Sequence, residues 1–349
     1  MSTDDEVRLC IVGAGLAAAG VADALREESV SVTVLEKSRG VGGRAATRRR
    51  NGCRYDHGAN YIKDSDERTR ELLQSLGTEG FADIDAPVWP FDSDGTISES
   101  ERPEAHKWTW AEGITQLAKR LFGRTDAEIR KDTLVDALRH SSTGWTVTDT
   151  DGSTHGPFDA VVMTPPAPQT ADLLRATEIH GADNDLSAAI DAVDRVPYRT
   201  IRAVMLHYPF EIDRPYYALV NDDREHDIGW LARESCKPGH IPDGEELLVV
   251  QMAPDWSTAT YDSPLDEIVD DVADMAAQLL DEDRLRDPDW VDDQGWRYAL
   301  PDAAVDSEAV APLESYGLYV AGDWVVGEGR AHEALWNGVA LGERIAGEL

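Results

Sequence analysis

The stretch that decides the fold lies near the start of the chain and reads Arg8-Leu-Cys-Ile-Val12-Gly13-Ala-Gly15-Leu-Ala-Ala18. A short β-favouring run leads directly into a glycine turn, and about three turns of helix-forming residues follow. Gly13 permits the tight turn, Gly15 lets a pyrophosphate approach the backbone, and small Ala18 lets the helix pack on the strand. The stretch therefore predicts a nucleotide-binding unit whose helix N-terminus offers N–H groups to phosphates.

A second strand and the acid that ends it extend this unit. Val30-Ser-Val-Thr-Val-Leu35 is rich in β-branched residues and is followed by Glu36, 21 residues beyond Gly15. A carboxylate at that place accepts hydrogen bonds from the hydroxyls of an adenosine ribose. The alternative is one more solvated acid, but the spacing favours binding. Three neighbours complete the predicted nucleotide site: Leu16, Ala17 and Lys37.

Two further motifs separate flavin from nicotinamide binding. The loop Arg39-Gly40-Val-Gly42-Gly43-Arg44 is glycine-rich, and no simple NAD-binding unit needs it. It resembles the diglycine stretch of FAD enzymes of the glutathione-reductase-like and amine-oxidase-like superfamily, although a flexible turn is the alternative. Near the other end of the chain, Gly317-Leu-Tyr-Val-Ala-Gly322-Asp323 reads as a strand ending in Gly-Asp. In that superfamily this aspartate binds the ribityl chain, so the resemblance implies FAD.

The last predicted helix begins near Ala331. Apolar and small residues share one of its faces, so that this face can pack closely against a sheet; the apolar ones are Leu335, Val339 and Ile345. The N–H groups of its first turn, at Ala331, His332 and Glu333, would stabilise negative charge on a reduced flavin. Cysteine is absent from this C-terminal segment, which predicts that FAD is held non-covalently.

Four other segments carry a further resemblance, and they are Tyr55-Asp56-His-Gly58-Ala59-Asn60-Tyr61, 158–169, 229–239 and Trp296-Arg297-Tyr298-Ala299. Two stretches among them, Trp230-Leu-Ala-Arg233 and Trp296-Arg297-Tyr298-Ala299, are narrower than the glycine motifs. With them the chain resembles the renalase-like family of FAD-dependent oxidoreductases, which are relatives of the amine oxidases. The resemblance implies further residues at the flavin: Gly58, Ala59, Asn60 and Leu134. Two departures concern the substrate, since Asn60 stands where glutamine is expected and 331–336 is bulkier and more polar than usual.

The fold class that follows is α/β, with a Rossmann-like FAD-binding domain and an interleaved mixed-sheet substrate domain. Strand patterns at 128–130, 133–138 and 144–148 predict a β-meander before a strand at 158–164 that returns to the FAD-binding domain. The predicted FAD-binding domain comprises 1–64, 110–166 and 290–349. The predicted substrate domain comprises 65–109 and 167–289.

The predicted catalytic residues lie in the narrow motifs. Trp230 and Trp296 are expected to stack on a flat substrate above the flavin ring. Arg233 and Arg297 are expected to pair with a substrate phosphate or carboxylate, although each also suits a salt bridge. Asn60 and Tyr61 complete this set.

Metal chemistry finds no sequence support. His57 and His332 lie in flavin-proximal segments, and we interpret both as hydrogen-bonded structural groups. The nine histidines show no close pair at metal-ligand spacing, so the sequence predicts no metal site.

Charge restricts the partners. The 349 residues include 67 acidic and 33 basic ones, for a formal charge of −34. Such a surface repels nucleic acid and anionic membranes, and the longest apolar run, 9–22, is too short to span a bilayer. Three scattered cysteines and an acidic N-terminal segment predict a cytoplasmic protein, and the acid excess predicts a salt-rich cytoplasm. The oligomeric state stays open.

Three functions compete. The first is an oxidase or dehydrogenase that takes a hydride from a small-molecule substrate at flavin N5. The resemblance implies an off-pathway dihydronicotinamide or an NAD(P)H-type dinucleotide that carries one, with dioxygen as an acceptor. The second is an amine oxidase with an aromatic cage, which would draw on Tyr298, Trp324 and Trp336. The third is a flavin-binding scaffold or redox sensor without turnover.

Overall fold

The computed structural model describes residues 6–63, 66–100 and 105–348. Within them the strands are β1 (Val7–Val12), β2 (Val30–Leu35), β3 (Thr47–Arg50), β4 (Cys53–Asp56), β5 (Ile62–Lys63), β6 (Phe81–Asp83), β7 (Val88–Phe91), β8 (Lys107–Trp110), β9 (Glu128–Arg130), β10 (Val135–Ser141), β11 (Gly144–Asp149), β12 (Thr154–Phe158), β13 (Ala160–Met163), β14 (Thr177–Glu178), β15 (Tyr198–Tyr208), β16 (Ala218–Asn221), β17 (Ile228–Arg233), β18 (Glu246–Met252), β19 (Trp290–Pro301) and β20 (Leu318–Val320). The α-helices are α1 (Leu16–Ala24), α2 (Glu67–Ser75), α3 (Gln116–Phe122), α4 (Ala167–Arg175), α5 (Asp183–Asp194), α6 (Pro254–Ala259), α7 (Leu265–Leu280), α8 (Ser307–Val310), α9 (Asp323–Val326) and α10 (Ala331–Glu348).

The chain divides into two compact units. The first unit comprises the described residues up to Arg44, together with Leu117–Tyr198 and the residues from Leu300 onward. The second unit comprises Ala45–Gln116 and Arg199–Ala299. Each unit is therefore built from separate stretches of chain, as an interleaved arrangement requires.

The core of the first unit is a parallel sheet in the order β20-β13-β1-β2-β9. All neighbours are parallel, and β1 and β2 pair in register from Val7 opposite Val30 to Val12 opposite Leu35. The last four residues of each of these two strands are buried, because a parallel sheet covered on both faces needs continuous apolar runs. The predicted strand–turn–helix–strand unit is thereby confirmed, with α1 ending at Ala24.

The small residues of α10 pack on a helix rather than on the sheet that we expected. A Cβ added to Gly338 would fall inside the van der Waals radius of the Ala17 carbonyl oxygen of α1. A Cβ added to Gly20 of α1 would similarly strike the Leu335 carbonyl oxygen of α10. The two backbones thus approach more closely than any side chain would allow, and this contact sets the position of the first turn of α1.

The predicted meander is correct except at its first strand. β10, β11 and β12 are antiparallel neighbours, and β14 adds to β10 in parallel. By contrast, β9 pairs with β2, from Thr33 opposite Glu128, and becomes the edge of the parallel sheet. β13 returns to that sheet between β1 and β20, as the sequence predicted.

The second unit is built on a six-stranded sheet in the order β19-β15-β18-β17-β16-β7. Its strands are antiparallel where the register is given, except that β16 and β7 are parallel. Alternate residues of β15 face two different clusters. Val204 and Leu206 pack in the cluster that contains Val272 of α7, whereas Ala203 and Met205 pack with residues of β4 and β19.

The compact units do not follow the predicted domain ranges everywhere. Three ranges that were assigned to the FAD-binding domain, 45–64, 110–116 and 290–299, group with the second unit. Conversely, 167–198 groups with the first unit, because α4 and α5 share its core. Compactness does not by itself assign a ligand to either unit. Among the described residues, no helix is both long enough and apolar enough to cross a bilayer.

Candidate functional site

The glycine turn of the first unit has the geometry that a nucleotide phosphate needs. Gly13 has a φ of +91°, and a Cβ there would lie 2.8 Å from Thr164 Oγ1, so only glycine fits. A Cβ at Gly15 would meet no heavy atom of the described residues within 4 Å, which leaves open space at the start of α1. Gly15 is the N-cap of α1, and the described side chains provide no cap hydrogen bond to it. The first N–H groups of α1, among them those of Leu16 and Ala17, can therefore bind an anion.

The second glycine loop lies directly against the first. Gly42 N donates to Ala14 O over 2.8 Å, and a Cβ at Gly43 would lie 3.3 Å from Gly15 Cα. Gly42 and Gly43 have φ values of +105° and +58°, which few other residues adopt without strain. Both predicted phosphate-binding loops thus meet at one place.

Glu36 is buried at the end of β2, where the sequence predicted a ribose-binding acid. Its Oε2 accepts from Ala14 N over 2.6 Å and its Oε1 accepts from Ser38 N over 2.7 Å. These bonds hold the carboxylate beside the glycine turn, and the remaining lone pairs can accept ribose hydroxyls. Lys37, which follows it, is exposed.

Leu134, which was expected to bind the cofactor, lies close to Glu36 in the structure. Its side chain is 48% exposed, and the chain beside it is bonded to the Glu36 residue through Thr133 N and Glu36 O, 2.9 Å apart. A large exposed leucine next to a ribose-binding carboxylate offers an apolar surface to a flat base. Resemblance supplied this residue, since nothing in its local pattern marks it.

Asp323 is buried at the first position of α9, and Arg44 lies against it. Arg44 Nη2 donates to Asp323 Oδ1 over 2.7 Å, so two predicted cofactor residues form one ion pair. Gly322 N donates to Asn337 Oδ1 over 2.8 Å, which ties the Gly-Asp corner to α10. Asn337 escaped prediction because it lies in the middle of an ordinary helical pattern.

α10 begins at Ala331, as predicted, but the short α9 separates it from β20. His332 is partly buried, with its Nε2 3.4 Å from Glu333 Oε1. Trp324, proposed for an amine cage, is fully buried in the core of the first unit, and its Nε1 donates to Pro165 O over 3.0 Å. That side chain is committed to packing, which removes one wall of the proposed cage.

In the second unit, the segment after β4 is held by β19 and β18. Trp296 Nε1 donates to His57 O over 2.8 Å, and the two rings stack with centroids 5.4 Å apart. Gly58 O accepts from Gln251 Nε2 over 2.8 Å and from Asn60 Nδ2 over 3.2 Å. Trp296 therefore positions the segment through its N–H and one ring face, and Ala59 of this segment is partly buried.

Burial lowers the pKa of His57 to about 4, and the nearby positive charge of Arg48 adds to this effect. The imidazole is therefore neutral at physiological pH, which suits a packing role.

Three aromatic rings of this unit lie together, and two of them belong to predicted substrate residues. Tyr61, Tyr217 and Trp230 have ring centroids 6.2 to 6.3 Å apart. Trp230 Nε1, Tyr217 OH and Asn60 Oδ1 are buried without a hydrogen-bond partner among the described residues. Buried polar atoms without partners are rare in folded proteins and point to a ligand or water. Tyr217 was missed because no local pattern distinguishes it from a packing residue.

The two arginines differ from the substrate-binding prediction. Arg233 is largely buried, its Nε donates to Glu246 Oε2 over 3.0 Å and its Nη1 donates to the carbonyl oxygens of Arg214 and Tyr216. Arg297 is about half exposed, and its guanidinium lies 4.2 Å from the centroid of the Tyr261 ring. Arg233 follows the salt-bridge alternative, and Arg297 Nη2 also lies 3.7 Å from a carboxylate oxygen, Asp262 Oδ1.

A buried ion network anchors the end of β4. Lys237 Nζ lies 2.9 Å from Asp56 Oδ2 and 2.7 Å from Glu234 Oε1, and all three side chains are fully buried. His240 Nδ1 lies 2.8 Å from Glu234 Oε2. Burial alone would lower the pKa of Lys237, but the two carboxylates hold it above its usual value. The ammonium is thus permanently charged, and it fixes the chain just before His57.

Comparison with known proteins agrees with this geometry. The sequence pattern of the NAD(P)-binding Rossmann-like domain matches residues 11–76. The pattern of the flavin containing amine oxidoreductase family matches residues 95–345, which is well over half of the chain. The chain belongs to the flavin-containing amine oxidoreductase family. The FAD-binding prediction is thus confirmed at the level of a flavin, and the chain is a flavin-dependent oxidoreductase.

Solved structures of this fold are similar over nearly their whole length. A reduced UDP-galactopyranose mutase aligns with a TM-score of 0.78 at 12% identity, covering 98% of this chain and 96% of that one. A cyclohexylamine oxidase from Brevibacterium oxydans IH-35A aligns with a TM-score of 0.73 at 15% identity, covering 98% and 99%. A fatty acid isomerase from P. acnes aligns with a TM-score of 0.71 at 15% identity, covering 98% and 99%. At such identities these likenesses establish the fold alone.

The residues present fit the flavin that this family of oxidoreductases contains. The open space at Gly15, the uncapped start of α1 and the buried Glu36 together suit the pyrophosphate and ribose of a dinucleotide. A Cβ at Gly15 would fill that space, which explains why glycine stands there.

Proposed function

We propose that this flavin-containing amine oxidoreductase binds FAD non-covalently and oxidises a small, flat, reduced substrate of the dihydronicotinamide type. FAD, when bound, would supply the hydride acceptor. Dioxygen would serve as the final oxidant and give hydrogen peroxide, with one proton coming from the transferred hydride and the second from solvent. A renalase-like specificity is part of this proposal, which rests on the resemblance of the Trp-Leu-Ala-Arg and Trp-Arg-Tyr-Ala segments.

The single observation that carries the substrate class is the set of unpartnered polar atoms at the aromatic rings. Trp230 Nε1 and Tyr217 OH can both donate, while Asn60 Oδ1 can accept. A ring that bears a carboxamide has the complement, namely a carbonyl oxygen and an N–H₂ group. The rings of Tyr61, Tyr217 and Trp230 would hold its flat face. A simple amine would leave at least one buried donor unsatisfied.

Cofactor binding is proposed for the first unit. Amides of α1 and the two glycine loops would bind the pyrophosphate, Glu36 the adenosine ribose, and Asp323 the ribityl chain. Arg44 would orient Asp323, since the two side chains form an ion pair of 2.7 Å. The start of α10, at Ala331 and His332, would place positive backbone dipoles toward negative charge.

The recognised part of the substrate is proposed to be the ring rather than a phosphate. Arg233 is engaged by Glu246, and Arg297 lies on Tyr261, so neither supports an anion beside Trp230. An NAD(P)H-type dinucleotide would therefore need residues other than Arg233 and Arg297 to bind its phosphates.

The test begins with the visible spectrum of the purified protein, which should show FAD that denaturation releases. Anaerobic mixing with dihydronicotinamide isomers should bleach the flavin band. Bleaching by simple amines instead, with peroxide released from an amine panel, would identify an amine oxidase. If no reductant bleaches the flavin while binding to a partner follows its redox state, the protein would be a sensor.

Trp230→Phe tests the role of the indole N–H, because phenylalanine keeps a ring and removes the donor. One lost hydrogen bond is worth about 1 kcal/mol, so KM should rise about fivefold while kcat changes little. Trp256→Phe is the matched control, since Trp256 packs at the edge of the α7 cluster. A Trp230→Phe protein with the wild-type KM would contradict the role given to this residue.

A salt-rich cytoplasm is proposed as the working environment. The support is the formal charge of −34, spread along a chain that nevertheless folds around large apolar cores. Molar salt would screen the repulsion between these charges.

A further inference from the structure

A group of metal-ligating side chains that the proposed flavin chemistry does not use lies in the second unit. Cys53 of β4, His207 of β15 and Glu245, just before β18, each offer one metal-ligating atom. These atoms all lie within 4.8 Å of one another, and His207 Nε2 is 2.9 Å from Glu245 Oε2. Spacing along the chain hides the group, because about 190 residues separate the first ligand from the last.

The sheet brings these residues together. His207 continues the β15 face that carries Ala203 and Met205, and these two share a cluster with Cys53. Cys53 and His207 are buried, whereas the Glu245 side chain is 35% exposed. The group is therefore closed on the protein side and accessible to solvent at the carboxylate.

The His207 ring is held in one orientation. It stacks on Trp290 with centroids 4.9 Å apart and an interplanar angle of 12°. Its other nitrogen, Nδ1, lies 3.4 Å from Asp289 Oδ2 and has no hydrogen bond within the described residues. Asp289 is itself anchored, because its backbone N donates to His207 O over 2.8 Å. A carboxylate behind the second nitrogen is the usual arrangement of a metal-binding histidine.

We propose that Cys53, His207 and Glu245 bind one Zn²⁺ ion, with the fourth position taken by water at the exposed side. A thiolate, an imidazole and a carboxylate are the ligand types of zinc, while Mg²⁺ and Ca²⁺ prefer oxygen alone. One thiolate and one carboxylate balance the two charges of the ion. Ligands on tetrahedral zinc lie about 3 to 4 Å apart, so the group needs only small side-chain rotations to close.

A second buried group does not support the same inference. Asp56, Glu234 and His240 also lie close together, but Lys237 Nζ already lies within 2.9 Å of both carboxylates. That lysine supplies the cation, so a metal ion would have to displace it. The group of Cys53, His207 and Glu245, by contrast, offers a thiol in place of the second carboxylate.

The site would also cross-link the fold. Cys53 belongs to β4, which pairs with β3. His207 belongs to β15 of the six-stranded sheet, and Glu245 directly precedes β18, the neighbour of β15. A metal ion bound by all three would tie the β3–β4 hairpin to that sheet and stabilise the second unit.

The test uses the flavin-loaded protein and Zn²⁺ itself. After incubation with one equivalent of Zn²⁺ and desalting, elemental mass spectrometry should find about one zinc per wild-type chain. Cys53→Ser and Glu245→Gln should each lower the affinity at least tenfold, and Asp289→Asn about tenfold with the stoichiometry kept. EDTA should lower the unfolding temperature of the wild type but not that of Glu245→Gln. The Glu245 side chain is 35% exposed, so this substitution leaves the buried core unchanged.

Cys236→Ser is the matched control, because Cys236 is a partly buried thiol outside the group. It should keep the wild-type zinc content. Equal zinc retention by wild type, Cys53→Ser and Glu245→Gln would show that surface carboxylates hold the ion, and it would overturn the proposal. Absence of retained zinc in the wild type would overturn it as well, whatever the outcome of the flavin assays.

Discussion

At the scale of single residues, burial decides which charged groups are left for a ligand. Arg233 and Glu246 are engaged with each other and not left for a ligand. Burial raises the pKa of Glu246, and the Arg233 guanidinium beside it opposes that rise. Removing either partner would leave a buried charge uncompensated. Glu36 is left for a ligand, since two backbone hydrogen bonds orient its carboxylate and further lone pairs can still accept hydrogen bonds.

Lys237 is likewise engaged by buried partners within the protein. Its two carboxylate partners join β4 to the turn after β17, and Asp56 also accepts from Thr47 Oγ1 and Ile114 N. The network thus holds several chain segments of the second unit at one point, and the Asn60 segment follows directly from it.

The pH dependence of stability should carry the signature of His57. Its native pKa of about 4 is below the unfolded value of 6.5, so the unfolded chain binds more protons and stability is lost as pH falls through this window. Between pH 7 and pH 5 this group should remove about 2 kcal/mol of unfolding free energy. Urea denaturation at both pH values measures it.

His57→Phe keeps a ring against Trp296 and removes the titration, so its unfolding free energy should depend less on pH by that amount. His180→Asn is the matched control, because His180 is exposed. An unchanged pH dependence in His57→Phe would show that the pKa of His57 is the same in the native and unfolded states.

At the scale of elements, the crossing of α1 and α10 controls the nucleotide site. Gly338 of α10 presses on the backbone of Ala17, two residues beyond the N-cap of α1. A displacement of this crossing therefore moves the phosphate-binding amides as well. The predicted contact of this face with a sheet was wrong because periodicity shows that a face is small and apolar, and not what lies opposite.

Gly338→Ala should destabilise the protein by about 1 to 3 kcal/mol and reduce its flavin content, since the added methyl overpacks a backbone contact. Alanine normally stabilises a helix by about 1 kcal/mol relative to glycine, so the sign alone is diagnostic. Gly347→Ala is the control, because a Cβ there meets no described atom within 4 Å in the same helix. Thermal unfolding and the flavin absorbance ratio measure both effects. A stabilised Gly338→Ala protein would mean that the helices separate without cost.

At the scale of the whole molecule, the charge of −34 is the dominant feature. Screening shortens the reach of charge repulsion from about 10 Å at 0.1 M salt to about 3 Å at 1 M. The unfolding temperature should therefore rise from low to molar KCl, and an anionic substrate should bind more tightly over the same range. Full stability at low salt would contradict the proposed salt adaptation.

A neutral osmolyte separates screening from general exclusion at the protein surface. Sucrose at matched osmolality should give a smaller rise in unfolding temperature than KCl, because it leaves the repulsion unscreened. Equal effects of both solutes would place the stabilisation in burial rather than in charge.

Local chemistry allowed the sequence to determine the nucleotide half of this protein. Glycines at Gly13, Gly15, Gly42 and Gly43, and an acid at the end of β2, are required by backbone geometry over fewer than forty residues. Such constraints are visible without any knowledge of distant contacts. The same locality made the boundaries of β2 predictable.

Only the tertiary structure decided the partners of charged and aromatic side chains. Arg233 is held by a strand neighbour, Trp324 is sunk in a core, and Tyr217 joins Trp230 across two strands. Cys53, His207 and Glu245 meet although they are far apart in the chain. The reason is physical. The local sequence pattern around a charged or aromatic side chain is the same whether that side chain faces a ligand, a counter-ion or a core. Only long-range packing selects among these three surroundings.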